Sequence, residues 1–435
     1  MIRVILVVSM LVAAVGATVV YQAAARQRAY QTLIARGDAA LGNDQTFAAI
    51  EAYSGAIEFR RDSMLAYLRR GETYQRRGDR GDLDLAARDF RTAATLDPGS
   101  PRPLEELGDV LYQLHRYERA ADAYERCARI DDRSARVVFK MALARYYDGN
   151  LDAAMAGAIQ ALHVDDKMSD AYYMLGLCLR EKARPADALE AFEKAAAIAP
   201  SSIPVREELA DLYGSLDRRA DELEQLQLLA GLDRAHVERQ VALGLAHARA
   251  HRWELAILTL TNALERAPDD VAVYGALGRV WLEASRAHED RDQLNKAREA
   301  LARIAARPGA TSDVLTLYGR VLLQEDDNAE AAERVLQSAT TRYPLDPDSL
   351  PLYATASERQ HHLAAARTAL IQYGALVVKE PDAAARAARI GELSLRLQEP
   401  DVAVAWLQRA QAANPQDSRI AAALADAQSQ TKRKR

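Results

Sequence analysis

Two histidine pairs are the residues of this 435-residue chain whose spacing comes closest to a metal site. His247 and His251 lie one helical turn apart with Glu254 nearby, and ligands at that spacing could hold a metal ion on one helix face. We nevertheless interpret His247 as a packing residue and His251 as the start of a turn. His361 and His362 are interpreted as exposed loop residues. The sequence therefore predicts no metal site.

The two cysteines, Cys127 and Cys178, are the other candidates for chemistry. They lie far apart within helical patterns, which argues against a disulfide framework or a metal cluster, and we expect inert core thiols. The sequence has no phosphate-binding loop, nucleophile elbow or paired C-x-x-C motif. Because the elements assigned below leave no segment long enough for a catalytic domain, we predict that the protein is not an enzyme and needs no cofactor.

Composition bounds the remaining possibilities. The chain is 49% apolar, 27% charged and 6% aromatic, which indicates an ordered protein. Its 57 basic and 62 acidic residues give a net charge of −5, so it lacks the positive field that nucleic-acid binding normally requires. A chain of this length folds either as two or three domains or as an extended array of small units that share one continuous core.

The N-terminal segment is apolar. Val4–Ala25 contains no charged residue, and as a helix it would reach roughly 33 Å, enough to cross a hydrocarbon core of about 30 Å. A cleaved signal peptide is the alternative, with Arg3 at its start and a small-residue cleavage site at Val15–Ala17. We therefore expect residues 1–29 to form either a single-pass anchor or an export signal, followed by a short junction.

Basic residues favour the uncleaved anchor. Arg26, Arg28 and Arg36 precede the first acidic residue, Asp38, and such a density of positive charge behind an export signal tends to oppose translocation. The same residues tilt the charge balance slightly toward a cytoplasmic body, with the periplasm as the other possibility.

Behind this segment a small residue recurs at a fixed interval, and six of the ten intervals are 34 residues long. In most repeats an Ala follows twelve residues later, a large apolar residue four after that, then another small residue and often a Pro. The fifth repeat shows the whole pattern with Gly176, Ala188, Phe192, Ala195 and Pro200. The recurring small residues are Gly37, Gly71, Gly108, Ala142, Gly176, Ala210, Gly244, Gly278, Gly319, Ala354 and Gly391.

This pattern resembles the tetratricopeptide repeat family over residues 30–416. The resemblance implies an all-α fold, a right-handed superhelical solenoid of about eleven helix pairs whose first helices line a concave groove. Small residues allow the two helices of a pair to cross closely, and Pro ends the second helix. Insertions at residues 80–82 and 288–292 are expected to lengthen loops between paired helices.

Two repeats and the C-terminus depart from the pattern. The sixth repeat has Glu222 and Leu229 where small residues are usual, and the tenth has Tyr373, so these units are expected to be distorted hinges. Residues 417–435 are predicted to form a capping helix, over 418–428, and a solvated basic tail.

Groove-facing positions are counted from the small residue of each first helix: three before it, one after it and four after it. Acidic residues at these positions in repeats one to three predict a cationic partner segment: Asp38, Glu72, Glu105 and Asp109. Family members that clamp the C-terminal carboxylate of chaperones use basic and amide residues there, which disfavours that role. Arg279 and Arg320 occupy comparable positions later, so the groove is expected to turn from acidic to basic.

Large apolar residues follow at the same positions in repeats three to five. We expect a groove-facing patch that anchors an apolar part of the partner, since a few aromatic residues carry most of the energy of many interfaces. The alternative is that several of these tyrosines pack into the neighbouring unit, with Tyr147 or Tyr172 as core alternatives. The predicted patch residues are Tyr112, Phe139, Tyr146 and Tyr173, with Leu143 and Leu177 beside them.

The sequence thus predicts a membrane-anchored interaction scaffold that binds protein or peptide segments in its groove and meets the membrane through its N-terminal helix, with no nucleic-acid partner. Anchored arrays of this kind resemble bacterial envelope-assembly scaffolds. The alternative is an exported periplasmic binding protein of a polysaccharide or polymer secretion system, since groove aromatics would also stack on sugars. N-terminal cleavage would distinguish the two.

Overall fold

The fold was analysed in a computed structural model that describes the backbone of residues 2–324, 328–377 and 382–434 and, within these ranges, side chains from residue 15 to residue 433. The described residues form 23 α-helices and no β-strand, which confirms the all-α prediction. The helices are α1 (Ile2–Gly42), α2 (Thr46–Phe59), α3 (Met64–Arg77), α4 (Asp82–Leu96), α5 (Arg102–Gln113), α6 (Tyr117–Ile130), α7 (Ala135–Tyr147), α8 (Leu151–Val164), α9 (Ser169–Glu181), α10 (Pro185–Ile198), α11 (Ile203–Ser215), α12 (Arg219–Leu232), α13 (Val237–Arg249), α14 (Trp253–Arg266), α15 (Val271–His288), α16 (Arg291–Ala305), α17 (Ser312–Leu322), α18 (Ala329–Ala339), α19 (Ser349–Arg359), α20 (Leu363–Leu376), α21 (Ala383–Arg396), α22 (Pro400–Ala413) and α23 (Ser418–Lys434).

The chain forms two compact units, Met1–Leu212 (unit 1) and Tyr213–Arg435 (unit 2). Apart from α11, which the division crosses, odd-numbered first helices within each unit pack against the even-numbered second helices that follow them, and second helices also pack on the next first helix. Two neighbours of this kind bury the faces that an isolated pair would expose. The array of helix pairs predicted from the repeat is confirmed.

The recurring glycines mark the crossing points. In unit 1 an aromatic ring of the second helix lies against the glycine of the first, and a Cβ on Gly108 would stand 2.4 Å from Cε1 of Tyr124. In unit 2 a leucine takes the place of the ring. The contacts are Gly37 with Tyr53, Gly71 with Phe90, Gly108 with Tyr124 and Gly176 with Phe192 in unit 1, and Gly244 with Leu260, Gly278 with Leu301, Gly319 with Leu336 and Gly391 with Leu407 in unit 2.

The turns that join the two helices of a pair share one backbone conformation. A residue with a left-handed conformation reverses the chain in nearly every pair whose turn is described. Glycine supplies it at Gly78 and Gly149, whereas His251 and His361 adopt it with φ of 56° and 61°. Both histidines are therefore turn residues, as predicted, and His362, which begins the following helix, is exposed.

The insertion in the eighth repeat behaves differently from the prediction. Residues 288–292 were expected to lengthen a loop, but α15 runs on to His288 and α16 begins at Arg291. Glu289 ends α15 in a left-handed conformation, and the Asp290 side chain accepts hydrogen bonds from the backbone N–H groups of Asp292 and Gln293. The extra residues thus lengthen the first helix, because the segment before His288 contains no helix-breaking residue.

The C-terminal helix is also longer than expected. The prediction ended it at residue 428, whereas α23 continues through the basic tail to Lys434. Ile420, Leu424 and Ala427 are buried against the preceding pair, which agrees with a capping role.

Helix α1 is continuous from the apolar segment into the first pair. Its side chains are exposed from residue 15 onward, and Tyr30 is the first buried one. No helix within the described residues is long and apolar enough to cross a membrane. Residues 1–14, which hold half of the predicted span, lie outside the part of the chain whose side chains are described.

Candidate functional site on the first helices

First helices of successive pairs lie side by side in unit 1, α3 beside α5 and α7 beside α9. We call the exposed surface of α1, α3, α5, α7 and α9 the first-helix face. All eight residues predicted to bind a partner lie on these five helices.

The first two predicted acids already have basic partners from the same chain. The Asp38 carboxylate lies 3.7 Å from the Arg69 guanidinium, which donates a hydrogen bond of 3.0 Å to Glu72. On its other side Glu72 accepts a hydrogen bond of 2.6 Å from Arg102 of the next first helix. These contacts join α1 to α3 and α3 to α5.

The next two acids share one lysine. Lys140 of α7 donates hydrogen bonds of 2.9 Å to Glu105 and 2.7 Å to Asp109, both on α5. Arg136 forms a second ion pair with Glu105 at 2.7 Å. A cationic partner would therefore have to displace these intramolecular cations, so the acidic row is not an open site for positive charge. We call the series from Asp38 to Lys140 the charge ladder.

Two of these acids also accept hydrogen bonds from tyrosines of the core. The Tyr53 hydroxyl donates to Asp38 at 2.7 Å, and the Tyr124 hydroxyl donates to Asp109 at 2.6 Å. Both rings are buried against glycines, so each hydroxyl needs an acceptor inside the pair. Burial, together with the hydrogen bond to Asp109, raises the pKa of the Tyr124 hydroxyl. Part of the acidic pattern thus has a structural cause.

Aromatic rings gather where α5 and α7 end. Tyr112 packs edge-on against both Tyr117 and Tyr147, with ring centroids 5.4 and 5.7 Å apart. Tyr117 and Tyr147 stack on each other at 5.4 Å, and Tyr146 meets Tyr147 edge-on. Burial, with Tyr147 alongside, raises the pKa of Tyr112 to about 12. We call Tyr112, Tyr117, Tyr146 and Tyr147 the tyrosine cluster.

Tyr147 is the exposed member of this cluster, with 53% of its surface accessible. The alternative that placed Tyr147 in the core is therefore wrong, since this last residue of α7 is exposed. Tyr172 is half-buried and its ring lies near the Lys194 ammonium. The tyrosine cluster is thus a surface feature with a partly buried base.

The other predicted aromatics are less accessible than a binding site requires. Phe139 and Tyr146 are half-buried, and the Tyr146 hydroxyl donates to the Glu181 carboxylate on α9. Tyr173 lies with its ring centroid 5.8 Å from that of the fully buried Phe192. These three side chains hold neighbouring helices together as well as lining the surface.

Counting positions on first helices missed Tyr117, which begins the second helix α6. Its hydroxyl lies 2.6 Å from Nδ1 of His115, the left-handed residue of the turn before it. The available signal was the density of tyrosines around residues 112–117 and 146–147.

In unit 2 the later first helices carry the expected arginines. Arg279 is exposed, whereas Arg320 is held 2.9 Å from Asp348. Arg286, close to Arg320, has its pKa lowered by burial and by that neighbouring positive charge. In unit 1 each acid of the charge ladder pairs with a base from the next repeat. In unit 2 the corresponding ion pair joins Arg320 to Asp348 of the next repeat.

The candidates for chemistry are buried or in turns. His247 is 5% exposed, and burial lowers its pKa, so it is a packing residue as predicted. Cys127 and Cys178 are free and buried, and burial raises the pKa of each thiol to about 11. Thiolate, the reactive form, is therefore scarce at neutral pH.

A model of the tetratricopeptide repeat family matches residues 75–135, 139–203, 241–297 and 282–347, together more than half of the chain. The matches omit residues 204–240, which hold the sixth repeat. The chain is also 31% identical over 101 residues to small glutamine-rich tetratricopeptide repeat-containing protein 2 of Mycosarcoma maydis, a stretch that is 23% of this chain and 28% of that protein. It therefore spans about a quarter of this relative.

Several solved structures are similar to this chain at low identity. The C-terminal part of a tetratricopeptide repeat-containing protein from Cytophaga hutchinsonii has a TM-score of 0.48 and 16% identity, covering 55% of this chain and 98% of that one. PilF of Pseudomonas aeruginosa has a TM-score of 0.39 and 21% identity, and the match covers 48% of this chain and 94% of that one. YrrB is described as having an unusual peptide-binding site. Its TM-score is 0.37 at 20% identity, and the match covers 44% of this chain and 98% of that one. Scores this low carry no argument about function.

Proposed function

Because this chain belongs to the tetratricopeptide repeat family, we propose that it is a membrane-anchored scaffold, without catalytic activity, that binds a polypeptide segment of a partner protein on the first-helix face of unit 1. The observation that carries the proposal is the tyrosine cluster. Its base is held by ring contacts of 5.4–5.7 Å, while Tyr147 is open to solvent. A rigid aromatic anchor with an exposed tip is typical of interface residues that dominate binding energy.

The charge ladder sets the character of the partner segment. Its carboxylates are engaged by Arg69, Arg102 and Lys140, so a simple run of positive charge would gain little net energy there. An apolar or aromatic side chain seated on Tyr147 avoids that competition. We therefore refine the predicted cationic and apolar segment to one in which the apolar part provides the affinity.

The proposal is tested with a defined probe. Random 12-residue peptides displayed on phage are selected against the purified chain, and the enriched peptides are synthesised and titrated. Tyr147→Ala should weaken their affinity by about tenfold or more, as expected for a hot-spot residue. Tyr343→Ala, at a tyrosine that is 98% exposed in unit 2, is the matched control and should leave affinity unchanged.

Equal loss in both variants, or none in either, would contradict a site at the tyrosine cluster. Enrichment of no peptide together with Tyr147-dependent binding of a polysaccharide would support the alternative of an exported polymer-binding protein, because tyrosine rings also stack on sugars.

The membrane anchor and a role in bacterial envelope assembly belong to the same proposal. The anchor is supported by the uncharged stretch Val4–Ala25 and by the exposed apolar side chains of its second half, Val15, Val19, Val20 and Tyr21. A reporter active only outside the cytoplasm, fused behind Arg435, and the N-terminal mass of the same product test both. An intact N-terminus means an anchor, and a start at Thr18 means export. An inactive reporter places the body on the favoured cytoplasmic face.

A further inference from the structure

The part of α1 that precedes the first helix pair changes character within a few residues. Val15, Val19 and Val20 are at least 60% exposed and Tyr21 is 73% exposed, so no other described part of the chain covers them. Arg26 and Arg28 follow and are exposed as well. An exposed apolar helix, then a tyrosine, then arginines is the order of side chains found where a helix leaves a bilayer.

The first helix pair adds charge at the same level. The turn between α2 and α3 lies beside α1, since the Arg60 guanidinium donates to the Gln27 side chain at 3.4 Å and lies 4.9 Å from the Tyr30 ring. Arg61 and the aromatic ring of Phe59 are exposed next to it. The turn thus brings two more arginines to the level of the arginines on α1.

The positive charge here is largely unbalanced. Among the described residues, Arg26, Arg28 and Arg61 form no ion pair, and Arg60 has only Asp62 at 3.7 Å. Arg26 and Arg28 project about 200° apart around the helix axis, so they do not share one face. Together with the turn they surround the point where α1 meets the array.

This turn differs from those that join later pairs. The next three turns of this kind in unit 1 begin with acids and not with two arginines: Asp97, Asp131 with Asp132, and Asp165 with Asp166. Within unit 1, the turn that begins with two arginines is the one beside the apolar helix. An anionic surface would therefore be attracted to this end of unit 1 and repelled by the turns that follow.

The distances fit the headgroup layer of a membrane. At 1.5 Å per residue, Arg26 and Arg28 lie about 9 and 12 Å beyond Val20, the last residue of the apolar run. The headgroup region extends about 5–7 Å beyond the hydrocarbon on each side, and arginine side chains reach back several ångströms toward it.

We propose that Arg26, Arg28, Arg60 and Arg61 form a basic collar that binds the phosphate groups of anionic phospholipids at the surface of the bilayer that holds the N-terminal part of α1. This inference rests on the membrane anchor of the proposed function. The collar gives the array a preference for anionic membranes, and with the continuous helix α1 it holds the first pair against the bilayer.

The test separates collar from anchor. The full chain is reconstituted by detergent removal into a mixture of two vesicle populations that carry different fluorescent lipids. One population is phosphatidylcholine alone, and the other is phosphatidylcholine with 30% phosphatidylglycerol. The distribution of the protein between the two populations is measured after flotation. At about 1 kcal/mol per arginine near an anionic surface, we expect at least tenfold enrichment in the anionic vesicles. Arg26→Gln, Arg28→Gln, Arg60→Gln and Arg61→Gln together should reduce it to about twofold.

The control removes the same charge elsewhere, with Arg88→Gln, Arg91→Gln, Arg119→Gln and Arg126→Gln at exposed positions of α4 and α6, and should keep the enrichment. Equal distribution of the unaltered chain, or enrichment that survives in the collar variant, overturns the collar and leaves the anchor standing. Flotation with neither population overturns the anchor and the collar with it. Inorganic phosphate is also added, with chloride of equal ionic strength as its control. Loss of the enrichment in phosphate but not in chloride would show a free-phosphate site instead.

Discussion

Glycine at the crossing point of a helix pair is required by the size of the residue that faces it. The ring of Phe192 is fully buried and stands where a Cβ on Gly176 would meet Cε1 at 2.5 Å. The ring cannot swing away, because it also contacts Tyr173. In the fourth repeat the roles are exchanged: Ala142 occupies the first helix and Gly157 faces it. In this pair the second helix supplies the glycine, whereas the sixth and tenth repeats have alanine, Ala210 and Ala354, in the first helix.

Gly176→Ala should therefore destabilise the protein although alanine favours helices. We expect a net loss of about 1–2 kcal/mol, since overpacking costs about 1–3 kcal/mol and helix propensity returns up to about 1 kcal/mol. Urea unfolding followed by circular dichroism measures it. Gly231→Ala in α12, where nothing lies within 4 Å of the new Cβ, is the control and should be neutral or stabilising. A stable Gly176→Ala variant would show that the ring relocates.

A second helix tolerates a charge only where its neighbours neutralise it. Glu222 occupies the position that is Ala in most repeats, and its side chain is 11% exposed. Arg219 and Arg249 pair with it from α12 and α13, and both arginines are about half exposed. The sixth repeat was expected to be a distorted hinge. The division between the two units falls in its first helix, α11.

Exchanging Glu and Ala at this position should change stability little in the sixth repeat and strongly in the seventh. Glu222→Ala removes a buried carboxylate and leaves two solvated arginines, so we expect a change below about 1 kcal/mol. Ala256→Glu, at the matching and fully buried position of the seventh repeat, buries a charge without a partner and should cost about 3 kcal/mol or more. Thermal melting of both variants is the measurement. Comparable losses would refute the compensation by arginine.

The helices that could be predicted from the sequence were those fixed by a single repeated contact. The period of small residues located the first helices, because a close crossing admits few other residues. The extension of α15 to His288 was missed because polar residues were taken to indicate a loop, although their helix propensity is adequate. Tyr117 was missed because it begins a second helix, whereas the counted positions were those of first helices. The bases of the charge ladder, one repeat beyond each acid, were visible in the sequence and overlooked.

Across the whole molecule, successive pairs are joined by polar contacts as well as by the apolar core. In unit 1 the charge ladder links α1 to α3, α3 to α5 and α5 to α7. In a linear array such contacts between neighbours contribute directly to cooperativity, because no distant part of the chain compensates for them. Lys140 contributes most to the ladder, since it contacts two carboxylates and is only 23% exposed.

Lys140→Glu would place a third carboxylate beside Glu105 and Asp109. We expect unit 1 to lose about 1–3 kcal/mol, and the loss to shrink at high salt because screening weakens like-charge repulsion. Lys194→Glu, at an exposed lysine that pairs only with Glu190 on the same helix, should cost less than about 1 kcal/mol. Hydrogen exchange of α5 and α7 at 50 and 500 mM salt measures both. A loss independent of salt would point to lost packing instead.

The exchange of a ring for a leucine at the glycine contact has an optical consequence. Rings clamped on glycine, such as Tyr53 and Tyr124, sit in fixed asymmetric surroundings and should give unit 1 a near-ultraviolet dichroism signal. The chain's three tryptophans, Trp253, Trp281 and Trp406, all belong to unit 2, so indole emission arises there alone. Indole emission can therefore follow the unfolding of unit 2 by itself in an unlabelled, uncut chain.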